Sequence, residues 1–182
     1  MTHEALRSTL RGELLEPGSP AYDAARVVWN GMIDRRPALI ARCRNAADVV
    51  ASVNHARSHG LAIAVRSGGH NVAGYAVCDG GLMIDLSLMN AVRVAPGLDR
   101  AFVEGGATWD DVDAATTPFG RATPGGLISM TGVAGLTLSG GIGWLRGTHG
   151  LRVGLEKAST ISISCKTSGE HADVGDGYPG FC

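Results

Sequence analysis

The chain has 182 residues, 45% apolar and 18% charged, a composition that suits one globular domain or two small lobes and excludes a disordered or collagen-like polymer. A formal net charge of −1 offers no basic field to a polyanion, so no nucleic-acid partner is expected. No apolar run reaches the roughly 18 residues of a membrane span, and the charged opening MTHEALRSTLRGELL lacks a signal peptide's apolar core; the expectation is a soluble, cytoplasmic protein with no membrane partner.

The first thirty residues read as a helical lead-in, set apart as a segment over 1–33. GSPAYDAARVVWNG offers Ser19 as a cap, Pro20 at the first helical position, Val27 and Val28 within and Gly31 past the end. A β-α-β unit follows. ALIAR (38–42) reads as a buried strand, Asn45 caps a helix with Asp48 in its first turn, and Ala46, Val49, Val50, Val53 and Ala56 recur at helical spacing until Gly60 stops it. LAIAV (61–65) is the second strand, a continuous apolar run suited to burial on both faces. LMIDL (82–86), AVRVA (91–95) and AFVEGG (101–106) are further strands, the last two joined by a turn at PGLD. Thr108 then opens a helix, with Asp111 placed as in a capping box, that ends near Pro118.

This order puts a first lobe at about 34–95 and a second from about 101. The segment GGLISMTGVAGLTLSGGIGWLRGTHG (125–150) has no sustained period, and its glycines would leave amide N–H groups free to meet a partner. Beyond Leu151, STISISC alternates like a short strand and TSGEHADVGDGYPGFC reads as a loose end. Cys43, Cys78, Cys165 and Cys182 form no C-x-x-C pair, so reduced thiols are expected, with Cys43 packed in a strand and no metal site.

Glycine is the informative excess: 27 residues, against about 13 at ordinary usage near 7%. The loop RSGGHN (66–71) concentrates the question. Its glycines suit either a tight β-turn or a concavity of amide N–H groups for a phosphate, with Arg66 at its edge to neutralise charge. Its position after a buried strand, where α/β ligand crevices form, favours the second reading. His70 is either an ordinary surface histidine or a nucleophile for a bound cofactor; no second ligand at metal spacing accompanies it. The G-x-G within GGIGWLRG (140–147) is a poor nicotinamide fingerprint, because Glu156 comes too soon and Asp173 falls in the loose end.

Taken together, PALIARCRNAADVVASVNHARSHGLAIAVRSGGHNVAGYAVCDGGLMIDLSLMNAVRV, GGATWDDV, ATPGGLISMTGVAGLTLSGGIGWL and HGL closely resemble the FAD-binding domain of FAD-linked oxidases. These are the PCMH-type, vanillyl-alcohol-oxidase-like flavoproteins, and the likeness is to the berberine-bridge-enzyme-like, 6-hydroxy-D-nicotine-oxidase-like branch, over roughly residues 20 to 151. The resemblance implies an α+β fold, a PCMH-type FAD-binding domain of two α/β lobes over 34–151, truncated, with the substrate domain absent and a divergent tail over 152–182.

For the site, the resemblance implies that Arg66, Ser67, Gly68, Gly69, His70 and Asn71 wrap the FAD diphosphate and that His70 bonds the 8α-methyl of the isoalloxazine. It sets Asp85, Leu86 and Ser87 beside the cofactor, and assigns Gly125, Gly126, Gly132, Gly135, Thr137, Gly140, Gly141 and Gly143 to the second lobe's share of the crevice. Ile128 stands where some members carry a cysteinyl flavin bond, so attachment through His70 alone is expected. The implied reaction is hydride transfer from a small-molecule substrate C–H to flavin N5, with molecular oxygen as acceptor. The alternative is a non-catalytic remnant that binds FAD weakly or not at all.

Overall fold

Main-chain N–H and C=O groups withdrawn from water must pair, and the apolar runs of the first half do so side by side. The computed structural model describes residues 3–95, 97, 100–149, 160–164 and 166–167, and the chain divides into two units, Met1–Met89 and Asn90–Cys182. In the first, β1 (Glu13–Leu15), β2 (Leu39–Arg42), β3 (Ile63–Arg66) and β4 (Leu82–Asp85) form one sheet in the order β1-β2-β4-β3. β2, β4 and β3 run parallel, and β1 pairs antiparallel with β2. The helix α3 (Ala46–His59) links β2 to β3, but β4 lies between those strands, so the β-α-β unit expected from the sequence is split by a third strand.

Strand alternation supplies a core on each face of the sheet. Leu39, Ala41, Cys43, Leu82 and Ile84 pack with Leu6, Leu14 and Ala56, while Ile40 and Met83 pack with Leu15, Tyr22, Ala25, Val28, Ala76 and Val77. Each such aliphatic side chain, fully buried, contributes about 1.5 to 3 kcal/mol. β3 departs from expectation: only Ala64 is buried, whereas Ile63 and Val65 are exposed, because β3 is an edge strand. Cys43 is a free, fully buried thiol, its pKa raised to about 11 chiefly by burial, which makes it a packing residue.

Asn45 caps α3, its side chain accepting from the Asp48 N–H at 3.0 Å, and Gly60 ends it at φ 63°. The inward face differs from the valine stripe read in the sequence: Asp48, Ser52, His55 and Ala56 are buried, and Val50 is exposed. The buried Asp48 carboxylate accepts from the main-chain N–H groups of Arg11, Gly12 and Arg44, and so ties the chain entering β1 to the helix.

The first thirty residues are not wholly helical either. α1 (His3–Thr9) and α2 (Tyr22–Arg26) flank β1, and Val27 and Val28 lie past the end of α2. Ser19 belongs to a turn, its hydroxyl accepting from the Glu16 N–H at 3.1 Å; the turn competes for the hydroxyl that a helix cap would use.

In the second unit β5 (Val92–Ala95) and β8 (Thr160–Ser164) both pair antiparallel with β6 (Arg100–Glu104). Val92–Ala95, grouped by sequence with the first lobe, therefore belongs to this sheet. α4 (Trp109–Thr116) carries the capping box: Thr108 Oγ1 accepts from Asp111 N–H at 3.4 Å and Asp111 Oδ2 from Thr108 N–H at 2.8 Å. A 3-10 turn over Thr117–Phe119 follows and Gly120 closes it at φ 61°. β7 (Arg121–Ala122) pairs with β9 (Lys166–Thr167).

Two helices interrupt the glycine-rich stretch read as aperiodic, α5 (Val133–Ser139) and α6 (Arg146–His149). α5 buries Val133 and Thr137 one turn apart, too short a repeat to register as a period. Of the turn at PGLD only Gly97 is described, and the loose end over 168–182, with Cys165 and Cys182, lies outside the described residues. Among the described residues no helix is long and apolar enough to cross a membrane.

His55 is fully buried with no hydrogen-bond partner for either ring nitrogen, 4.1 Å from the His59 ring and 5.3 Å from that of His3. Burial, then His59 and His3, hold its pKa below the usual 6.5, so the folded state disfavours the charged form and the unfolded state binds the proton more tightly. Stability is complete above the unfolded value and is lost as pH falls through the lower folded one. Urea midpoints measured from about pH 8 to about pH 5 should fall, and less steeply in His55→Leu.

Candidate cofactor site

The parallel register places the last residues of three strands in one row: Arg42 opposite Asp85, and Asp85 opposite Arg66. Asp85 has no solvent exposure. Its carboxylate accepts from Arg66 Nε at 3.2 Å and Nη2 at 2.8 Å, lies 3.5 Å from Arg42 Nε, and also accepts from the Ser87 N–H at 3.0 Å. Arg66 Nη1 donates to the carbonyls of Ala25 (2.7 Å) and Val27 (3.1 Å). The structure thus gives Arg66 a task other than the phosphate neutralisation expected of it: its charge is already met by a buried carboxylate, and its fork anchors the start of the loop.

The loop leaves β3 at this anchor. Gly69 takes φ 71°, the left-handed region that favours glycine. The carbonyl of Gly69 accepts from the Trp29 N–H at 3.1 Å, and that of Val72 from Asn30 Nδ2 at 2.8 Å. Asn71 is used locally, its Oδ1 accepting from the Tyr75 N–H and its carbonyl from the Gly74 N–H. Arg35 Nη1 holds the far side through the carbonyls of Gly74 and Val77.

Several carbonyls of the loop are engaged, those of Gly69, Asn71, Val72 and Gly74 among them, while the donors are not. Among the described residues, the main-chain N–H groups of Ser67 to Ala73 find no acceptor in the chain. Ser67 Oγ is buried without a partner. His70 has no hydrogen bond to either ring nitrogen among the described residues, and its ring stacks on the indole of Trp29, centroids 5.6 Å apart and planes 23° off parallel. Such a run of unengaged donors is left to solvent or to a ligand. Of the residues after β4, Ser87 lies by the Asp85 carboxylate, whereas Leu86 packs against the core and its N–H donates to the Arg66 carbonyl.

In the second unit glycine answers mainly to internal packing. A Cβ on Gly125 or Gly126 would run into the buried indole of Trp109, one on Gly141 into Leu136, and one on Gly143 into the Gly125 carbonyl. Close packing by itself thus requires glycine at these four positions. The others differ. Gly132 precedes α5, Gly140 ends it at φ 88°, and a Cβ on Gly135 would meet open space. Thr137 is buried with its hydroxyl unpartnered, as is the Trp109 indole N–H. Ile128 is exposed. Among the described residues no group of three His, Cys, Asp or Glu side chains could hold a metal ion.

Residues 37–155 match the family model for the FAD binding domain. The chain belongs to the PCMH-type FAD-linked oxidase family. (R)-6-hydroxynicotine oxidase of Paenarthrobacter nicotinovorans is 42% identical to this flavoprotein domain over 143 residues, 79% of this chain and 31% of that protein. The crystal structure of 6-hydroxy-D-nicotine oxidase from Arthrobacter nicotinovorans is similar at a TM-score of 0.77 and 39% identity, covering 85% of this chain and 36% of that one. Glucooligosaccharide oxidase from Acremonium strictum, which carries a 6-S-cysteinyl, 8α-N1-histidyl FAD, is similar at a TM-score of 0.76 and 30% identity, covering 88% of this chain and 36% of that one. The FAD-binding domain described here thus spans about a third of the length of these relatives.

The structure adds residues that sequence reading missed: Trp29, Asn30 and Arg35, which grip the loop, and Arg42, which flanks Asp85. Arg42 left a signal, since three strands each ending in a charge, two basic and one acidic, imply a shared row. Trp29 left none. Arg66→Ala would leave Asp85 buried beside a single arginine and should cost about 3 to 5 kcal/mol; Gly69→Ala, a strained left-handed residue, should cost about 1 to 2 kcal/mol. Urea denaturation of the two variants against the parent checks both values and their order.

Proposed function

We propose that this chain holds FAD covalently through His70 alone, and that the protein to which it contributes is an oxidase that moves a hydride from a small-molecule C–H to the flavin, with dioxygen as acceptor. One observation carries the reading: a loop at the carboxyl end of the parallel edge strand β3 combines unengaged main-chain donors from Ser67 to Ala73 with an imidazole whose nitrogens are both free of hydrogen bonds among the described residues. The buried, unpartnered Ser67 hydroxyl fits the same group.

Ser67 to Ala73 would hold the diphosphate with their N–H groups. His70 would supply one ring nitrogen for a bond to the 8α carbon, giving up its N–H proton, while a methyl proton and two electrons would be lost, the electrons and both protons being taken up by dioxygen as hydrogen peroxide. When bound, the flavin supplies the two-electron acceptor that no side chain of the chain provides. Ile128 has no sulfur to make a second bond.

The nicotine oxidase and glucooligosaccharide oxidase relatives support the reaction class, and the histidyl flavin of the latter supports the attachment. Acid precipitation of protein made in flavin-replete cells tests it. Yellow absorbance should stay in the parent pellet and its peptide bearing His70 should gain the mass of FAD, whereas His70→Ala should release all flavin to the supernatant. Parent protein whose flavin is wholly released, or joined to another peptide, would overturn the attachment; parent protein with no flavin at all would favour the remnant reading.

A further inference from the structure

Trp29 is a large apolar residue left 61% exposed, with the His70 ring as its aromatic partner. Its contact is doubled: the indole lies against the imidazole, and its own main-chain N–H donates to the carbonyl of Gly69, the residue just before His70. The surrounding segment grips the loop on either side, Ala25 and Val27 through Arg66, and Asn30 through Val72. An imidazole can be oriented by a hydrogen bond at a nitrogen or by contact on its face. The first engages one of the two ring nitrogens; the second leaves both open, since their lone pair and N–H lie in the ring plane. His70 is held in the second way.

We infer that Trp29 is the positioning residue for flavin attachment, setting the plane of the His70 ring while keeping its nitrogens free to react. This rests on His70 being the attachment point. Stacking preferences of aromatic pairs and the sensitivity of bond formation to orientation set the scale of the effect at about tenfold in rate.

The test uses full chain prepared without flavin and then mixed with FAD, in four forms: parent, Trp29→Leu, Trp29→Phe and Met32→Ala. Met32 is 90% exposed, and its loss controls for removal of an exposed apolar group. Two quantities are read, the rate at which flavin becomes acid-insoluble and the reversible affinity seen by quenching of flavin fluorescence. Trp29→Leu should slow attachment about tenfold while reversible affinity changes by less than about twofold; Trp29→Phe, which keeps a ring to stack, should recover to within about threefold of the parent; Met32→Ala should match it. Attachment by Trp29→Leu at the parental rate, failure of the phenylalanine to restore it, or an equal loss of reversible affinity would each overturn the inference, the last by assigning Trp29 to loop folding. Parent protein that binds FAD reversibly but never attaches it would instead remove the His70 reading, and this one with it.

Discussion

A carboxylate stripped of water must be met by charge and hydrogen bonds, and the geometry around Asp85 follows from that requirement. Strand register delivers the partners: Arg42 and Arg66 end the two strands flanking β4 in the same row. Because Arg66 must face Asp85, the chain leaves β3 in a fixed direction. Because its remaining donors seek the carbonyls of Ala25 and Val27, the stretch after α2 is drawn against the loop. Trp29 then reaches both Gly69 and His70. The orientation of one imidazole is in this way inherited, contact by contact, from a buried ion pair at the centre of the sheet.

The two glycine-rich segments look alike in composition and differ in physics. Around Gly69 the absence of a side chain permits a left-handed turn whose neighbouring donors face no internal acceptor. Around Gly125, Gly126 and Gly143 it permits backbone to lie on an indole and on other backbone. Composition counts both kinds equally, and only the identity of the neighbouring atom separates them.

Local chemistry was what the sequence expressed most clearly. The Asn45 cap, the Gly60 stop and the Thr108–Asp111 capping box depend on residues within a few positions of one another, and each stands in the structure as read. Features set by distant partners were hidden. β1 is a strand only because β2 offers it an edge, β3 is exposed only because β4 takes the central place, and α3 buries Asp48 because amides from Arg11, Gly12 and Arg44 converge there. The glycine-bearing turn after β3 was legible in the loop at 66–71; the pairing of Arg66 was not, since Asp85 is nineteen positions away.

The insertion of β4 between β2 and β3 also dictates an order of assembly. During synthesis the ribosome delivers both outer parallel strands before the one that must pair with each of them, so neither can complete its ladder until residue 85 has emerged. Until then the nascent segment keeps two strands' worth of open edges and the Arg66 guanidinium awaiting its counter-charge. Closure of this half is consequently a non-local event that waits on its last strand, the kind of pairing that slows folding.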